Sequence, residues 1–296
     1  MANRHFGKIA DVWKHAALAE VLEREPPGRY AETHAGSGAY PIVNDREREF
    51  GILRFLEVAP RFAALARSRY REVAASYIKG DRGVYPGSAV LAMTMLGNAS
   101  SYLLCDLDQN SIIDLRLWSR ELSLHNCDVA EADGMAAVAT WLDGESRQPA
   151  LVHIDPFDPD ARAPGGYSAL ELAAHVADSG ARLVYWYGYD DAGDQAWAHR
   201  RLATLTTTPL WCGDLLVTGA SSGPGDLGVA TSPGTGFGVV LANLQAETAA
   251  ACAALGMALA DAYADAVLPD GSPGGLAFTS HASENGEQGQ DPARVH

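Results

Sequence analysis

Apolar positions along this chain follow two rhythms, one helical and one extended, and their order outlines the fold. Between Asp11 and about Glu25, Val12, Ala16, Leu18, Ala19 and Leu22 fall at mostly helical spacing. Asp11 stands where an N-cap is expected, and Pro26-Pro27 closes the run. A short strand is predicted over 29–33, leading straight into His34-Ala-Gly-Ser-Gly-Ala-Tyr40, so that a glycine turn follows a strand. Residues from about 46 to 83 are rich in Arg and Ala with helical periodicity and read as a helical insertion. Beyond it, strands predicted at 102–107, 151–155, 182–187, 210–218 and 236–242 alternate with helices at 111–119, 167–178, 190–205 and 246–267. Such alternation predicts an α/β protein with a mostly parallel, doubly wound sheet. One domain over 1–280 is expected, with the insertion at about 46–83. Residues 281–296 carry too little apolar surface to order themselves and are expected to form a disordered tail.

The chain has 296 residues and an apolar share of 47%, enough for a sizeable core. Its formal net charge of −15 speaks against a broad nucleic-acid surface, because affinity for phosphate backbones comes largely from Lys and Arg. The charge is uneven: Arg46, Arg48, Arg54, Arg61, Arg67, Arg69, Arg71, Lys79 and Arg82 crowd the insertion. They form either a local basic patch or a solvated helix face paired with Glu47, Glu49, Glu57 and Glu72. No apolar stretch reaches the length of a membrane span and the first residues lack a secretory signal, so a cytoplasmic protein without membrane contact is expected. Cys105, Cys127, Cys212 and Cys252 lie far apart, with no Cys-x-x-Cys and no histidine at metal-ligand spacing; reduced core thiols and no metal are expected.

In open parallel sheets ligands bind beyond the carboxyl ends of strands, so four places carry most information. The turn after the first strand offers Gly36 and Gly38, which let backbone approach a ligand closely, although turns of any kind use glycine. Asp106 ends the next strand, where a carboxylate either binds ribose hydroxyls or caps the following helix. Ala132-Asp133-Gly134 has the same two readings, adenine contact or helix cap. The fourth place is Ile154-Asp155-Pro156-Phe157-Asp158.

With these places marked, the chain resembles the 23S ribosomal RNA adenine-N6 methyltransferases of the RlmJ group over nearly its whole length. The resemblance rests on Ala10-Asp-Val-Trp-Lys-His15, Thr33-His-Ala-Gly-Ser-Gly-Ala-Tyr40, Tyr85-Pro-Gly-Ser88, Ala132-Asp-Gly134 and Ile154-Asp-Pro156. It implies a Rossmann-like class I methyltransferase fold with S-adenosylmethionine as cofactor. It carries cofactor contacts onto His15, His34, Ser88, Asp106, Asp133 and Gly134, and the catalytic carboxylate onto Asp155. The family often has Glu where Asp106 stands.

The substrate half departs from that pattern. The family's Asp-Pro-Pro-Tyr lets an acid and a carbonyl accept hydrogen bonds from an exocyclic amine while the tyrosine stacks on the extruded base. Here the sequence is Asp155-Pro156-Phe157-Asp158, with a carboxylate in place of the stacking ring, and Asp160 adds another. The family's amino-terminal His-Ala-Gly-Asn is replaced by Phe6-Gly7-Lys8, and its late Asn-Pro-Pro by Asn243-Leu244-Gln245. Extra carboxylates suit an amine-bearing small acceptor better than a polyanion. The expected substrate contacts are Lys14, Phe157, Asp158 and Tyr187. His153 and the cluster Tyr185, Trp186, Tyr187 and Tyr189 read first as core, with Tyr187 or Tyr189 also placed to line a pocket. The expected activity is methyl transfer from S-adenosylmethionine to an amine or hydroxyl of a small, non-ribosomal acceptor, by a monomer or homodimer. Adenine-N6 methylation of 23S RNA is the first alternative, and a scaffold or binding subunit without methyl transfer is the second.

Overall fold

The computed structural model describes residues 6–79, 83–144, 146, 148–156, 162, 166–219 and 235–282. Phe157, Asp158, Asp160, Arg82 and the sequence after Ala282 lie outside the described residues.

The strands are β1 (Arg29–Glu32), β2 (Ala39–Pro41), β3 (Val84–Pro86), β4 (Ser101–Asp106), β5 (Cys127–Glu131), β6 (Ala150–Ile154), β7 (Arg182–Tyr189), β8 (Leu210–Gly219), β9 (Gly236–Ala242), β10 (Ala266–Val267) and β11 (Pro273–Ala282). Nine of them form one sheet in the order β10-β11-β8-β9-β7-β6-β1-β4-β5. β5, β4, β1, β6 and β7 pair in parallel, and β9, β8, β11 and β10 continue the sheet by antiparallel pairing. Seven of the nine strands therefore point the same way. The chain winds outward from β1 through β4 to β5, then returns to the other side of β1 as β6. That reversal opens a crevice beyond the carboxyl ends of β1 and β6, where such sheets bind ligands.

Helices cover both faces. α1 (Ile9–Arg24), α6 (Ser88–Leu96), α7 (Gln109–Glu121) and α11 (Ala246–Ala262) join the larger core. The insertion starts with α2 (Arg46–Arg48) and joins the same core through a π-helical turn at Glu49–Leu53, α3 (Arg54–Val58), α4 (Ala63–Arg67) and α5 (Arg69–Ile78). On the opposite face, α8 (Gly134–Leu142), α9 (Ala169–Asp178) and α10 (Ala192–Leu205) pack over Cys105, Ile154, Tyr185, Tyr187 and Cys212. α1 is buried on almost every side, packed between the sheet, the insertion and α11. Its weak amphipathicity follows from that position, because a helix surrounded by protein needs no polar face.

Several predicted elements shift. α1 begins two residues before Asp11, with Lys8 at the N-cap position; Asp11 lies in the first turn and is not the cap. The predicted helix at 246–267 stops at Ala262, and Ala266–Val267 turns back to pair with β11. β11 itself was not predicted: Gly274 and Gly275 and a mostly exposed run of Thr, Ser and His lack the apolar alternation that marks a strand. It runs into 281–282, the first two residues of the range expected as a tail. The β2–β3 ribbon, β5, α6 and α8 add further elements.

The cations of the insertion divide: Arg46, Arg61, Arg67 and Lys79 are exposed, while others make internal contacts. Arg48 is buried, bonded to Asp45 and Glu47 and set over Phe6. Arg54 reaches the Ala262 carbonyl over the Tyr263 ring, Arg71 the Ala66 carbonyl, and Arg69 pairs with Glu72.

Candidate active site

The turn after β1 is pinned from three sides. Thr33 N donates to the His153 carbonyl of β6, Ala35 N to the Cys105 carbonyl of β4, and Gly36 N to Asp106 Oδ2 at 2.8 Å. Gly36 has φ of +59°, a left-handed backbone for which glycine is suited. Asp106 Oδ1 accepts a further bond from Asp108 N at 2.8 Å. A carboxylate has about four acceptor sites, so Asp106 anchors the turn and keeps capacity for two hydroxyls. Asp108, not Asp106, caps α7 through Asn110 N.

Asp133 caps α8 through Oδ1 and Met135 N, while its Oδ2 is buried with no hydrogen-bond partner. The helix-cap reading therefore holds through Oδ1, and Oδ2 is left as a buried acceptor without a partner among the described residues. Gly134 is required by space, since a Cβ there would stand 1.9 Å from the Thr33 carbonyl oxygen. Gly38 is required by packing against Trp118 and Val90, which a Cβ would meet at 2.5 and 2.9 Å.

Beside the turn lies an open cleft lined by residues of α1, the β1 turn and α6, with Phe6, Tyr40, Tyr85 and Asp155. Lys14 on α1 bonds Asp155 Oδ2 at 2.6 Å and Asp11 Oδ1 at 3.0 Å, and its ammonium lies 5.5 Å from the Trp186 ring centroid. Burial opposes the charge on Lys14, but the two carboxylates outweigh it and hold the ammonium well above its usual range. Next along α1, His15 Nδ1 meets the Tyr85 hydroxyl at 2.7 Å. Burial and neighbouring Lys14 push the His15 imidazole well below its usual range. His34, bonded to Thr33 Oγ1, is also lowered by burial, although Asp155, Asp106 and Asp133 pull the other way. Ser88 donates to Glu32 Oε2 at 2.9 Å.

The cleft thus gathers Lys14, His15, His34, Gly36, Ser88 and Asp155, with Asp106 and Asp133 bordering the same turn. It does not include Tyr187. Strand alternation turns Tyr185, Tyr187 and Tyr189 into the second core, and the Tyr187 hydroxyl bonds Asp214 and His199. The pocket-lining place given to Tyr187 is corrected accordingly; Trp186, one residue earlier, faces Lys14 instead. His153 is buried beside Glu32, as a core histidine.

Sequence reasoning passed over six lining residues, Ala35 and Gly87 among them. Asp11 was assigned to a cap, and Phe6, Tyr40 and Tyr85 received no role. Phe6 stacks on Tyr40 at 4.7 Å and lies 6.3 Å from Tyr85, making an aromatic wall from three separate segments. It also passed over Glu32, which is fully buried and accepts from both Tyr30 and Ser88.

Strand order, direction and the site at the reversal define a Rossmann-like fold of the class I methyltransferase type. No family model matches the chain. It is 30% identical over 162 residues to the ribosomal RNA large subunit methyltransferase J of Escherichia coli K12, a match over 51% of this chain and 56% of that protein. The chain thus spans little more than half the length of the curated relative it matches. Over the whole fold it is similar to the solved structure of protein LPL1258 from Legionella pneumophila, described as DUF519. That likeness has a TM-score of 0.69 and 18% identity, covering 96% of this chain and 99% of that one. Among the described residues no helix is long and apolar enough to cross a membrane.

Proposed function

We propose that the protein is an S-adenosylmethionine-dependent methyltransferase whose acceptor is a nitrogen or oxygen nucleophile delivered to Asp155. The observation that carries this reading is the Lys14–Asp155 pair opening onto the same cleft as the glycine turn at the sheet's reversal. The residues fit the cofactor on their own chemistry. Asp106 keeps acceptor capacity for two ribose hydroxyls, the buried partnerless Oδ2 of Asp133 suits an adenine amine, and Gly36 and Gly134 permit close backbone approach. When bound, the cofactor supplies an electrophilic methyl group.

The chain's own part is to present the acceptor. Lys14 holds Asp155 Oδ2 and orients the carboxylate toward the cleft. The other oxygen accepts the N–H or O–H hydrogen of the acceptor, frees its lone pair for attack, and then takes the proton. The neutral His15 and His34 and the aromatic wall limit water at this point.

The favoured acceptor is small and amine-bearing. The net charge of −15 disfavours a polyanion, and Asp158 stands three residues after Asp155 in the sequence as a second carboxylate. The name of the Escherichia coli relative supports a second reading, methylation of ribosomal RNA. The first test is calorimetry with S-adenosylmethionine, expected to show binding that Asp106→Ala weakens at least tenfold. Absence of binding would remove the methyltransferase reading. Radiolabelled methyl transfer then separates the acceptors: label entering small amines but not protein-free 23S RNA supports the first reading, and label entering the RNA establishes the second.

A further inference from the structure

Across the sheet from α1, three elements bring metal-ligating side chains together. His199 on α10, Cys212 on β8 and His281 on β11 place one donor atom each within 4.8 Å of one another. Cys212 and His281 are cross-strand partners, so their proximity is fixed by the β8–β11 register. The two imidazole rings lie 4.4 Å apart between centroids. Two residues along β8, on the same face, Asp214 is 1% exposed. Its carboxylate accepts from the Tyr187 hydroxyl, which also meets His199, and from the Gln195 side chain, and its Oδ2 stands 3.7 Å from His199 Nε2.

We propose that His199, Cys212 and His281 bind a structural zinc-type divalent cation, with Asp214 beside them to orient His199. Donors at about 2.0–2.3 Å from tetrahedral zinc lie about 3.3–3.8 Å apart, so the three donors, now within 4.8 Å of one another, need close only by about 1 Å. Two imidazoles and a thiolate form a borderline-soft set suited to Zn²⁺ rather than Mg²⁺ or Ca²⁺, which prefer all-oxygen shells. The Asp214 carboxylate, held by Tyr187, orients His199 from outside the ligand shell, as second-shell partners do at zinc sites. Binding replaces the Cys212 thiol proton by the metal, so affinity falls with acidity. The cluster lies on the second-core face, where Cys212 packs, and none of its residues lines the Asp155 cleft. The cation therefore ties β11 and α10 to β8 and takes no part in the transfer proposed above. The spacing of cysteines and histidines in the chain gave no sign of it because the donors come from three elements distant in sequence.

The test uses the full chain without a polyhistidine tag, supplied with zinc sulfate and then freed of excess by gel filtration. Metal analysis should find about one equivalent of zinc per chain, and a competing chelator should lower the melting temperature. His281 is exposed, so His281→Ala removes a ligand without opening the core; it should weaken zinc binding at least tenfold and abolish the chelator's effect. Cys212→Ser should do the same, and S-adenosylmethionine binding should be unchanged in both. Stoichiometry far below one equivalent in the folded wild-type chain would overturn the proposal, as would zinc binding undiminished in both variants.

Discussion

Asp155 and Lys14 meet at 2.6 Å in a cleft that admits solvent on the Asp155 side, and the chemistry proposed here rests on that one pair. Asp155→Ala should abolish methyl transfer while leaving cofactor binding nearly intact; retained turnover would remove Asp155 from the mechanism. Lys14→Met should reduce kcat by about 100-fold, the lower range for loss of acid–base organisation, with little change in the cofactor's Kd by calorimetry. The histidines make a separate claim about pH. His15 and His34 are held below the ordinary value near 6.5 by burial, so between their folded and unfolded values the unfolded chain binds more protons. Stability from keeping them neutral is therefore present above about pH 6.5 and lost as pH falls below it. Melting temperatures measured from pH 7.5 to pH 5 should decline, and His34→Gln should flatten part of the decline.

At the level of elements, caps and close approaches can be tested apart from chemistry. α9 starts with a capping box in which Ser168 accepts from Glu171 N and Glu171 reaches back to Ser168 N. Ser168→Ala should cost about 1 kcal/mol by denaturant titration. Gly134→Ala, by contrast, drives a methyl into the Thr33 carbonyl, at the crossing of α8 and the β1 turn. It should cost about 1–3 kcal/mol or more as an overpacked contact, and weaken cofactor binding along with stability. A variant with full stability and full affinity would show that α8 can move away from the turn at no cost.

At the scale of the whole molecule, cofactor bound only by the folded chain should stabilise it by about 2.7 kcal/mol at 100 times its Kd, read as an upward shift in melting temperature. The fold itself was largely legible: the strands at 150–154, 182–189, 210–219 and 236–242 announce themselves as apolar runs between helices. So did the turn at 34–38, because a glycine pair after a strand is a local feature. The antiparallel extension through β11 was not, because its exposed, glycine-containing sequence becomes a strand only by pairing with β8. Asp11 went to a cap for a similar reason: helix boundaries are set by contacts that local pattern does not contain. The sequence by itself determined the alternation of strands and helices, the acids at strand ends and the glycine turn, all of which depend on neighbours a few residues apart. Tertiary structure alone decided that Lys14 reaches Asp155, that Tyr187 turns away from the cleft, and that His199, Cys212 and His281 converge. Those facts depend on register and on side-chain direction across elements, which no short window of sequence encodes.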